Sequence, residues 1–260
     1  FWQTRGYLAA GRERLAELLE LAPSERTAAR ARALDGAAML AHHEGDFAAA
    51  RLLLEESLAT ARAVGDQTGI TIALTSLGFV LRVQGDYEAA ASVLEESLAV
   101  SRELGDRLRA GVALGLLGDV ALHQGNPDAA RRLYQESLAP RQEAGDKRRI
   151  AYHFNNMGDV GCAQGEYQRA RSLYEEGLKG CRELGDVGGM AWSLYGLSGV
   201  ALYQGEHAAA RSLGEESLAR RHQLGDKRGI AECLERLAEV DMAEEGRPQR
   251  AARLLGAAAA

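Results

Sequence analysis

Apolar residues recur along this chain at helical spacing, and the whole pattern returns every 40 residues. The segment from Gly85 to Asp106, GDYEAAASVLEESLAVSRELGD, has close counterparts that begin at Gly45, Gly125, Gly165 and Gly205. Within each copy the apolar residues lie three or four positions apart, which places them on one face of an α-helix. A fixed period of this length indicates a repeat array in which each unit packs on its neighbours.

Each repeat is predicted to contain two helices separated by glycine turns. One turn has the form Gly85-Asp86, and the other has the form Gly105-Asp106, 20 residues later. Glycine accepts the left-handed conformation that ends a helix, and the acid after it lies at the positive start of the next helix. Helices of about 15 to 18 residues fill the period and leave no room for strands. The sequence therefore predicts an all-α fold of antiparallel helix pairs.

Small residues recur at one position in the first helix of each pair, namely Gly78, Gly118, Gly158 and Ser198. A glycine inside a helix costs about 1 kcal/mol relative to alanine, so its recurrence requires a compensating contact. We expect the second helix to approach closely at this point. The residues predicted to meet it there are Ala50, Ala90, Ala130, Ala170 and Ala210.

Charged residues are frequent, and the formal net charge of the chain is -6. The chain therefore has no overall positive field that would attract nucleic acid or an anionic membrane. On the second helices, arginine and glutamate lie four residues apart, where exposed pairs contribute a few tenths of a kcal/mol each. The predicted pairs are Arg51 with Glu55, Arg171 with Glu175, and Arg211 with Glu215.

The three cysteines, Cys162, Cys181 and Cys233, have a spacing that fits neither a disulfide framework nor a zinc site. We interpret them as buried free thiols of a protein in a reducing compartment. No apolar run approaches the ~18 residues of a membrane span, and no charged-then-apolar signal segment begins the chain. These features predict a cytoplasmic protein.

Both ends of the chain depart from the repeat. Residues 1–23 match only the second helix of a truncated repeat, and Pro23 ends that helix because proline cannot continue the hydrogen-bond ladder. Residues 24–245 hold the tandem helix pairs, and residues 246–260 form a capping helix or tail. The chain begins with Phe1 rather than methionine, so we expect a fragment of a longer protein with Phe1 and Trp2 at a cut edge.

The turn Gly85-Asp86-Tyr87, with Ala90 five residues after the glycine, resembles the tetratricopeptide repeat in a lengthened 40-residue form. The resemblance covers nearly the whole chain. The aromatic residue of the turn is matched by Phe47, Tyr87 and Tyr167 but replaced by Pro127 and His207. The resemblance implies a right-handed superhelical solenoid whose first helices line a concave groove.

A narrower resemblance rests on three strings: the opening FWQTRGYLAAGRERL, the repeated LEESLA with its ELGD turn, and the closing AARLLGAA. Together they are similar to the C-terminal repeat region of bacterial signal-transduction ATPases, including LuxR-type and AfsR-type transcription regulators. That resemblance implies a sensor or interaction arm attached to an upstream nucleotide-binding switch.

The predicted groove face mixes aromatic, amide and charged side chains, a composition that suits capture of a peptide. Asn155 is expected to bind a peptide backbone amide, and Trp192, Tyr195 and Tyr203 are expected to form an aromatic cluster. Gly196 and Gly199 would leave a local pocket beside that cluster. The predicted partner-binding residues are Phe79, Arg82, Asp119, His123, Tyr152, Asn155, Asp159, Trp192, Tyr195, Tyr203, Glu232 and Glu235.

Residues on this face also have simpler interpretations, which the sequence leaves open. A solvated terminal helix explains Glu232, Glu235 and Glu239 as well as an acidic binding surface does. A helix weakened by glycine is the alternative to a pocket at Gly199.

Catalytic and metal chemistry finds no support in the residue spacing. His42 and His43 diverge by about 100° around a helix, so the two rings do not meet one ion together with Glu44. No serine, histidine and aspartate set has the spacing of a triad, and Asp119 and Asp159 are related by the repeat. We therefore predict a protein that is not an enzyme, without catalytic, cofactor-binding or metal-binding residues.

Three functional hypotheses follow. The first is a scaffold that binds a protein or peptide partner in the concave groove, with no direct contact to nucleic acid or membrane. The second is a structural spacer or self-association module, motivated by Phe1 and Trp2 at the cut edge. The third is a small-molecule sensor that uses the gap at Gly199.

Overall fold

The computed structural model describes residues 8–21, 26–244 and 248–258, and over these residues the chain forms thirteen α-helices and no strand. The predicted boundaries at Pro23 and residue 246, and the edge residues Phe1 and Trp2, lie outside the described residues. The helices are α1 (Leu8–Glu20), α2 (Ala28–His43), α3 (Phe47–Val64), α4 (Gln67–Gln84), α5 (Tyr87–Glu103), α6 (Arg107–His123), α7 (Pro127–Glu143), α8 (Lys147–Ala163), α9 (Tyr167–Glu183), α10 (Val187–Tyr203), α11 (His207–Leu224), α12 (Lys227–Ala243) and α13 (Pro248–Ala258). The predicted all-α fold of tandem helix pairs is confirmed.

The chain divides into two compact units, Phe1–Pro140 and Arg141–Ala260, and the division falls inside α7 at its internal proline. In each unit, successive helices pack against each other along the chain. The even-numbered helices, here called A helices, also contact each other: α4 packs on α2 and α6 in the first unit, and α10 packs on α8 and α12 in the second. The odd-numbered helices are called B helices. The A helices therefore form one continuous layer within each unit.

Glycine turns connect all helices from α2 to α12. The ten glycines of these turns, which occur every 20 residues from Gly45 to Gly225, have φ values between 64° and 83°. Only glycine adopts this left-handed conformation without strain, so the prediction for the turns is confirmed. Aspartate in the next position caps the following helix, as Asp106 does by accepting the backbone N–H of Arg109 at 3.0 Å. Glu166 and Glu206 occupy the same position without a side-chain capping bond.

In three A helices the small residue lies nearest to a large B-helix side chain, one turn beyond the alanine that the sequence suggests. A Cβ atom on Gly78 would lie 2.5 Å from Leu94, and one on Gly158 would lie 2.7 Å from the ring of Tyr174. Tyr134 covers Gly118 in the same way. The atoms nearest to these three glycines therefore belong to the residue one helical turn beyond Ala90, Ala130 and Ala170 on the B helix.

The corresponding contact between α10 and α11 pairs two small residues. Ser198 replaces the glycine of the A helix, and Gly214 replaces the large residue of B helix α11. The hydroxyl of Ser198 donates to the carbonyl oxygen of Ala210 at 2.7 Å, so the predicted contact with alanine holds at this position. Both members of this contact are small, and Leu237 of α12 lies against Gly214.

The serine of the LEESLA string ties three B helices, α3, α5 and α11, to the A helices that precede them. Its hydroxyl donates to a backbone carbonyl 26 residues earlier, from Ser57 to Ala31 at 2.8 Å and from Ser217 to Ala191 at 2.8 Å. Ser97 makes the same bond to Thr71 at 3.2 Å. These buried hydroxyls explain why a polar residue recurs in the apolar face of the B helices.

Ion pairs connect successive elements more often than the sequence predicts. Arg51 pairs with Glu55 at 2.9 Å as expected. Arg171 instead reaches Glu206 at 2.6 Å, and Arg211 reaches the buried Asp241 at 2.5 Å. The predicted partners Glu175 and Glu215 are therefore wrong, because the long arginine side chains extend across to the next helix and not along their own.

Candidate functional site

Between its two ends, helix α10 reaches solvent only at two aromatic residues. Solvent reaches this helix at its first two residues and at Trp192, Tyr195, Leu202 and Tyr203, and its other residues are buried. Trp192 and Tyr195 lie three residues apart, on the part of α10 that its neighbours leave partly open to solvent. The α10 stripe, defined as Trp192 and Tyr195, therefore presents two half-buried aromatic rings where the helix meets solvent.

Trp192 is held by a network that begins on the neighbouring A helix. Its ring meets the ring of Tyr152 edge to face, with centroids 5.6 Å apart. The Tyr152 hydroxyl donates to Asp186 at 3.0 Å, and Nε of Arg148 donates to the same carboxylate at 2.6 Å. Asp186 also accepts the backbone N–H of Gly189 at 3.0 Å, so one carboxylate orients the ring beside Trp192.

The electrostatics of this network keep Asp186 ionised and Tyr152 protonated. Burial alone would raise the pKa of Asp186, but the hydrogen bonds from Gly189, Arg148 and Tyr152 outweigh it and hold that pKa below its usual value. Burial, together with the negative charge of Asp186, raises the pKa of Tyr152. The phenol therefore remains a hydrogen-bond donor at neutral pH.

Tyr195 lies between two guanidinium groups. Arg221 is 5.3 Å and Arg236 is 4.9 Å from the centre of its ring, which places each cation within range of the ring quadrupole. Acids neutralise both cations: Glu232 lies 3.1 Å from Arg221, and Glu239 lies 3.0 Å from Arg236. The cations fix the orientation of the tyrosine ring, and its exposed edge faces solvent.

The predicted pocket beside this stripe is filled. A Cβ atom on Gly199 would collide with the guanidinium of Arg236, and one on Gly196 would collide with the ring of Tyr174. The two glycines therefore admit large side chains from α12 and α9. The prediction of a small-molecule gap at Gly199 is wrong, since the bulk that glycine removes from α10 is replaced by Arg236.

Tyr203 does not join Trp192 and Tyr195 in one aromatic cluster. It is 67% exposed at the end of α10, and its ring stacks on that of Tyr167, with centroids 4.9 Å apart and planes 16° from parallel. Tyr87 and His123 form the matching stack in the first unit, with centroids 5.3 Å apart. The Tyr203 pair therefore repeats a contact of the helix ends.

Asn155 is interior, so the prediction that it binds a peptide amide is corrected. Its side chain is fully buried and accepts the hydroxyl of Ser193 at 2.7 Å. A Cβ atom on Gly177 would lie against the Asn155 amide oxygen. Gly177 stands where the other B helices have the serine of LEESLA, and Asn155 fills the space that this serine leaves. The break in the LEESLA string was the signal that could have identified Asn155 as a packing residue.

The remaining second-unit candidates lie on the same A-helix face. Asp159 is half-buried and accepts the hydroxyl of Tyr174 at 2.5 Å. Glu232 pairs with Arg221 and with Arg228 on its own helix. Glu235 is exposed and has no ion-pair partner among the described residues. Of these two acids on α12, Glu232 is thus paired with arginine, and Glu235 has no ion-pair partner among the described residues.

The first-unit candidates form a separate group on α4 and α6. The guanidinium of Arg82 lies 5.2 Å from the ring centre of Phe79 and 3.7 Å from the carboxylate of Asp119. Asp119 also accepts the hydroxyl of Tyr134 at 2.7 Å. His123 stacks on Tyr87, as described above. These four side chains therefore make contacts within their own unit.

Sequence reasoning missed four residues that shape the site: Arg148, Asp186, Arg221 and Arg236. Asp186 belongs to the repeated Gly-Asp turn, and that regularity conceals its additional bonds. The three arginines occur in charged stretches that resemble solvated helix faces. Their roles depend on which helices pack side by side, which the spacing along one helix does not reveal.

Other chemistry is sparse in the described part of the chain. It contains no group of three or more histidine, cysteine, aspartate or glutamate residues that could hold a metal ion. None of its helices combines the length and the apolar character needed to cross a membrane. Cys162, Cys181 and Cys233 are free, and burial raises the pKa of Cys181 to about 11. An open cleft of about 320 Å³ lies between α8 and α9, with Phe154 and Gly180 in its wall.

Comparisons with known families and solved structures agree with the observed fold. A family model described as the tetratricopeptide repeat matches residues 70–143 and 149–223, together more than half of the chain. No curated protein sequence matches the chain.

Three solved structures illustrate the similarity of fold. BtubC (BKLC) from P. vanneervenii has a TM-score of 0.63 at 21% identity, over 86% of this chain and 93% of that one. NprR in complex with its cognate peptide NprX has a TM-score of 0.76 at 16% identity, over 97% and 73%. A signal transduction ATPase with numerous domains from Pyrococcus horikoshii, which has a tetratricopeptide repeat sensor, has a TM-score of 0.66 at 18% identity, over 95% of this chain and 38% of that protein.

Proposed function

Because the chain belongs to the tetratricopeptide repeat family, we propose that it is a non-catalytic scaffold that binds a protein segment or peptide along the A helices of its second unit. The observation that carries this proposal is the α10 stripe. Trp192 and Tyr195 present aromatic surface to solvent, although α10 is otherwise buried from Gly189 to Ala201. Tryptophan and tyrosine are enriched among the side chains that dominate binding energy at protein interfaces.

The way the stripe is held supports binding over a purely structural role. Tyr152, Arg148 and Asp186 orient the face beside Trp192, and Arg221 and Arg236 orient Tyr195. Rings held in place before a partner arrives lose little conformational entropy on binding. NprR, whose fold is similar, has been solved with a bound peptide, which supports a peptide-like partner for this chain.

A displayed library of random 12-residue peptides, selected on the purified chain, tests this proposal. Enriched peptides would be synthesised, and their dissociation constants would be measured by fluorescence anisotropy. We expect Trp192→Ala to weaken binding about 30-fold, the effect of losing about 2 kcal/mol at an interface hot spot. Ile72, which occupies the same repeat position on α4, provides the matched control, and Ile72→Ala should leave the dissociation constant unchanged.

Two results would contradict the proposal. One is that no peptide is enriched over a matched protein-free surface. The other is that Trp192→Ala and Ile72→Ala bind the selected peptides equally well while both variants keep the helical circular dichroism of the parent chain.

The wider context is a second part of the proposal: the chain is the sensor or interaction arm of a cytoplasmic bacterial regulator. The three sequence strings that resemble LuxR-type and AfsR-type ATPases support it, as does the similarity to the repeat sensor of the Pyrococcus ATPase. Deletion of this segment from the full-length protein should change its ATPase rate. An ATPase rate identical with and without the segment, or a full-length protein that lacks a nucleotide-binding domain, would refute this part alone.

A further inference from the structure

The A-helix face of the second unit is formed by three helices whose equivalent repeat positions lie side by side. Helix α10 packs on α8 on one side and on α12 on the other. Tyr152, Trp192 and Glu232 share one repeat position, and Glu235 lies one turn further along α12. Aromatic and acidic side chains therefore lie on adjacent helices of one face.

Not every charged side chain on this face has a partner of opposite charge. Each arginine has an acid at ion-pair distance: Arg148 has Asp186 at 2.6 Å, and Arg236 has Glu239 at 3.0 Å. Glu235, in contrast, is exposed and has no cation within ion-pair distance among the described residues. The charge left without a partner is therefore negative, and it occupies on α12 the repeat position that Tyr195 occupies on α10.

An occupant of this face must match both features. A lysine or arginine side chain complements the free carboxylate of Glu235, and its cation also gains from the ring faces of nearby aromatic residues. A large apolar side chain complements the exposed part of Trp192. An acidic segment would meet Glu235 with the same sign of charge and would find the arginines already paired.

The width of the face sets the length of the occupant. Neighbouring packed helices have axes about 9 Å apart, so the distance from α8 to α12 is about 18 Å. An extended chain advances about 3.3 Å per residue, which corresponds to about six residues.

We propose that the face formed by α8, α10 and α12 selects a short extended segment in which a lysine or arginine lies beside an aromatic or large aliphatic residue. This inference rests on the proposed function, and it specifies the chemistry of the partner. The recognition elements are Trp192 for the apolar side chain and Glu235 for the cation.

Three C-terminally amidated peptides whose N-terminal amine carries a fluorophore test the inference: GKFKFKG, GEFEFEG and GKSKSKG. Fluorescence anisotropy would give the dissociation constant of each. We expect GKFKFKG to bind at least about 10-fold more tightly than either other peptide, since only it combines positive charge with aromatic side chains. Its affinity should fall as salt is raised, because the contact with Glu235 is exposed and therefore screened.

Charge reversal separates a specific contact from a general attraction. Glu235→Lys should weaken GKFKFKG about 10-fold, because it replaces an attraction by a repulsion at the contact. Glu175→Lys is the matched control: Glu175 is exposed on B helix α9, has no ion-pair partner among the described residues, and gives the same change of net charge. The control should change the dissociation constant by no more than about twofold.

The inference is overturned if GKFKFKG fails to bind, if GEFEFEG binds as tightly, or if the two reversals have equal effects. These outcomes differ from failure of the proposed function. Peptides selected from the library that depend on Trp192 but carry acidic or neutral side chains would refute the cationic partner and retain the binding scaffold. Enrichment of lysine and arginine among Trp192-dependent peptides would support both.

Discussion

Helices α4 and α10 occupy equivalent places in the two units, yet they present different faces to solvent. Ile72 and Thr75 are the half-buried residues of α4 at the positions where α10 has Trp192 and Tyr195. Both helices end at a left-handed glycine. Both also place a small residue, Gly78 or Ser198, against the following B helix. The contacts that hold helix pairs together thus recur, whereas the residues that face outward from the A helices change from one unit to the other.

This difference indicates how the repeat separates stability from recognition. The side chains at the contact between A and B helices must fill the available space, because a closely packed interior has no spare volume. No such constraint acts on the outward positions of the A helices. Five predictions test this separation, and they follow in order of decreasing expected effect.

The contact between A and B helices should be equally important in both units. Leu94 and Tyr174 are almost completely buried, and each covers a glycine of the preceding A helix. Leu94→Ala and Tyr174→Ala should each lower the free energy of unfolding by about 3 to 5 kcal/mol, because each leaves a large cavity. Urea unfolding followed by circular dichroism measures this. A small effect in one unit alone would show that the repeats do not share one packing rule.

The aspartate that caps an A helix should contribute more in the second unit than in the first. Asp186 is buried and accepts three hydrogen bonds, whereas Asp66 accepts the N–H of Gly69 in the same turn position. We expect Asp186→Ala to cost about 2 to 3 kcal/mol and Asp66→Ala to cost about 1 kcal/mol. Equal losses in urea unfolding would show that Arg148 and Tyr152 add nothing to the cap.

The same carboxylate should make the second unit sensitive to acid. The pKa of Asp186 in the folded chain lies below its ordinary value near 3.8. The stabilisation that Asp186 provides is therefore complete above about pH 4 and is lost as the pH falls through the folded pKa. Thermal unfolding between pH 5 and about pH 2 should show a steeper loss for the parent chain than for Asp186→Asn. Parallel curves would contradict this assignment.

Gly177 occupies in the second unit the repeat position that Ser97 occupies in the first, and its replacement should have a smaller effect on stability. Gly177→Ser should destabilise by about 1 to 3 kcal/mol, because its Cβ atom would collide with the Asn155 amide. In the first unit, Thr75 and Ser97 occupy these two positions and lie 2.9 Å apart. The double variant Gly177→Ser with Asn155→Thr should therefore recover at least about 1 kcal/mol relative to the single variant. Strict additivity in this cycle would refute the coupling.

Exposed ion pairs should contribute least, and equally in both units. Arg62 pairs with Glu96 at 2.5 Å in the first unit, and Arg171 pairs with Glu206 at 2.6 Å in the second. Arg62→Ala and Arg171→Ala should each cost about 0.5 kcal/mol or less, because solvent screens the attraction. A loss above about 1 kcal/mol in either variant, measured by urea unfolding, would assign these pairs a structural role.

Features that depend on neighbours along one helix could be predicted. The turns at Gly45 to Gly225, the helix pairs and the ion pair of Arg51 with Glu55 all follow from residues a few positions apart. The predictions for Asn155, Gly199 and Tyr203 were wrong for a common reason. Each depends on a side chain from another helix: Ser193 for Asn155, Arg236 for Gly199 and Tyr167 for Tyr203.

The sequence alone determined the repeat, the class of fold and the position of every turn from α2 to α12, because glycine conformation and helical periodicity are local properties of the chain. Only the tertiary structure decided which outward residues are free to bind. Trp192 and Glu235 have solvent beside them, whereas Asn155 is enclosed. The physical reason is that exposure is a property of all the helices that surround a residue, and a pattern along one helix does not contain it.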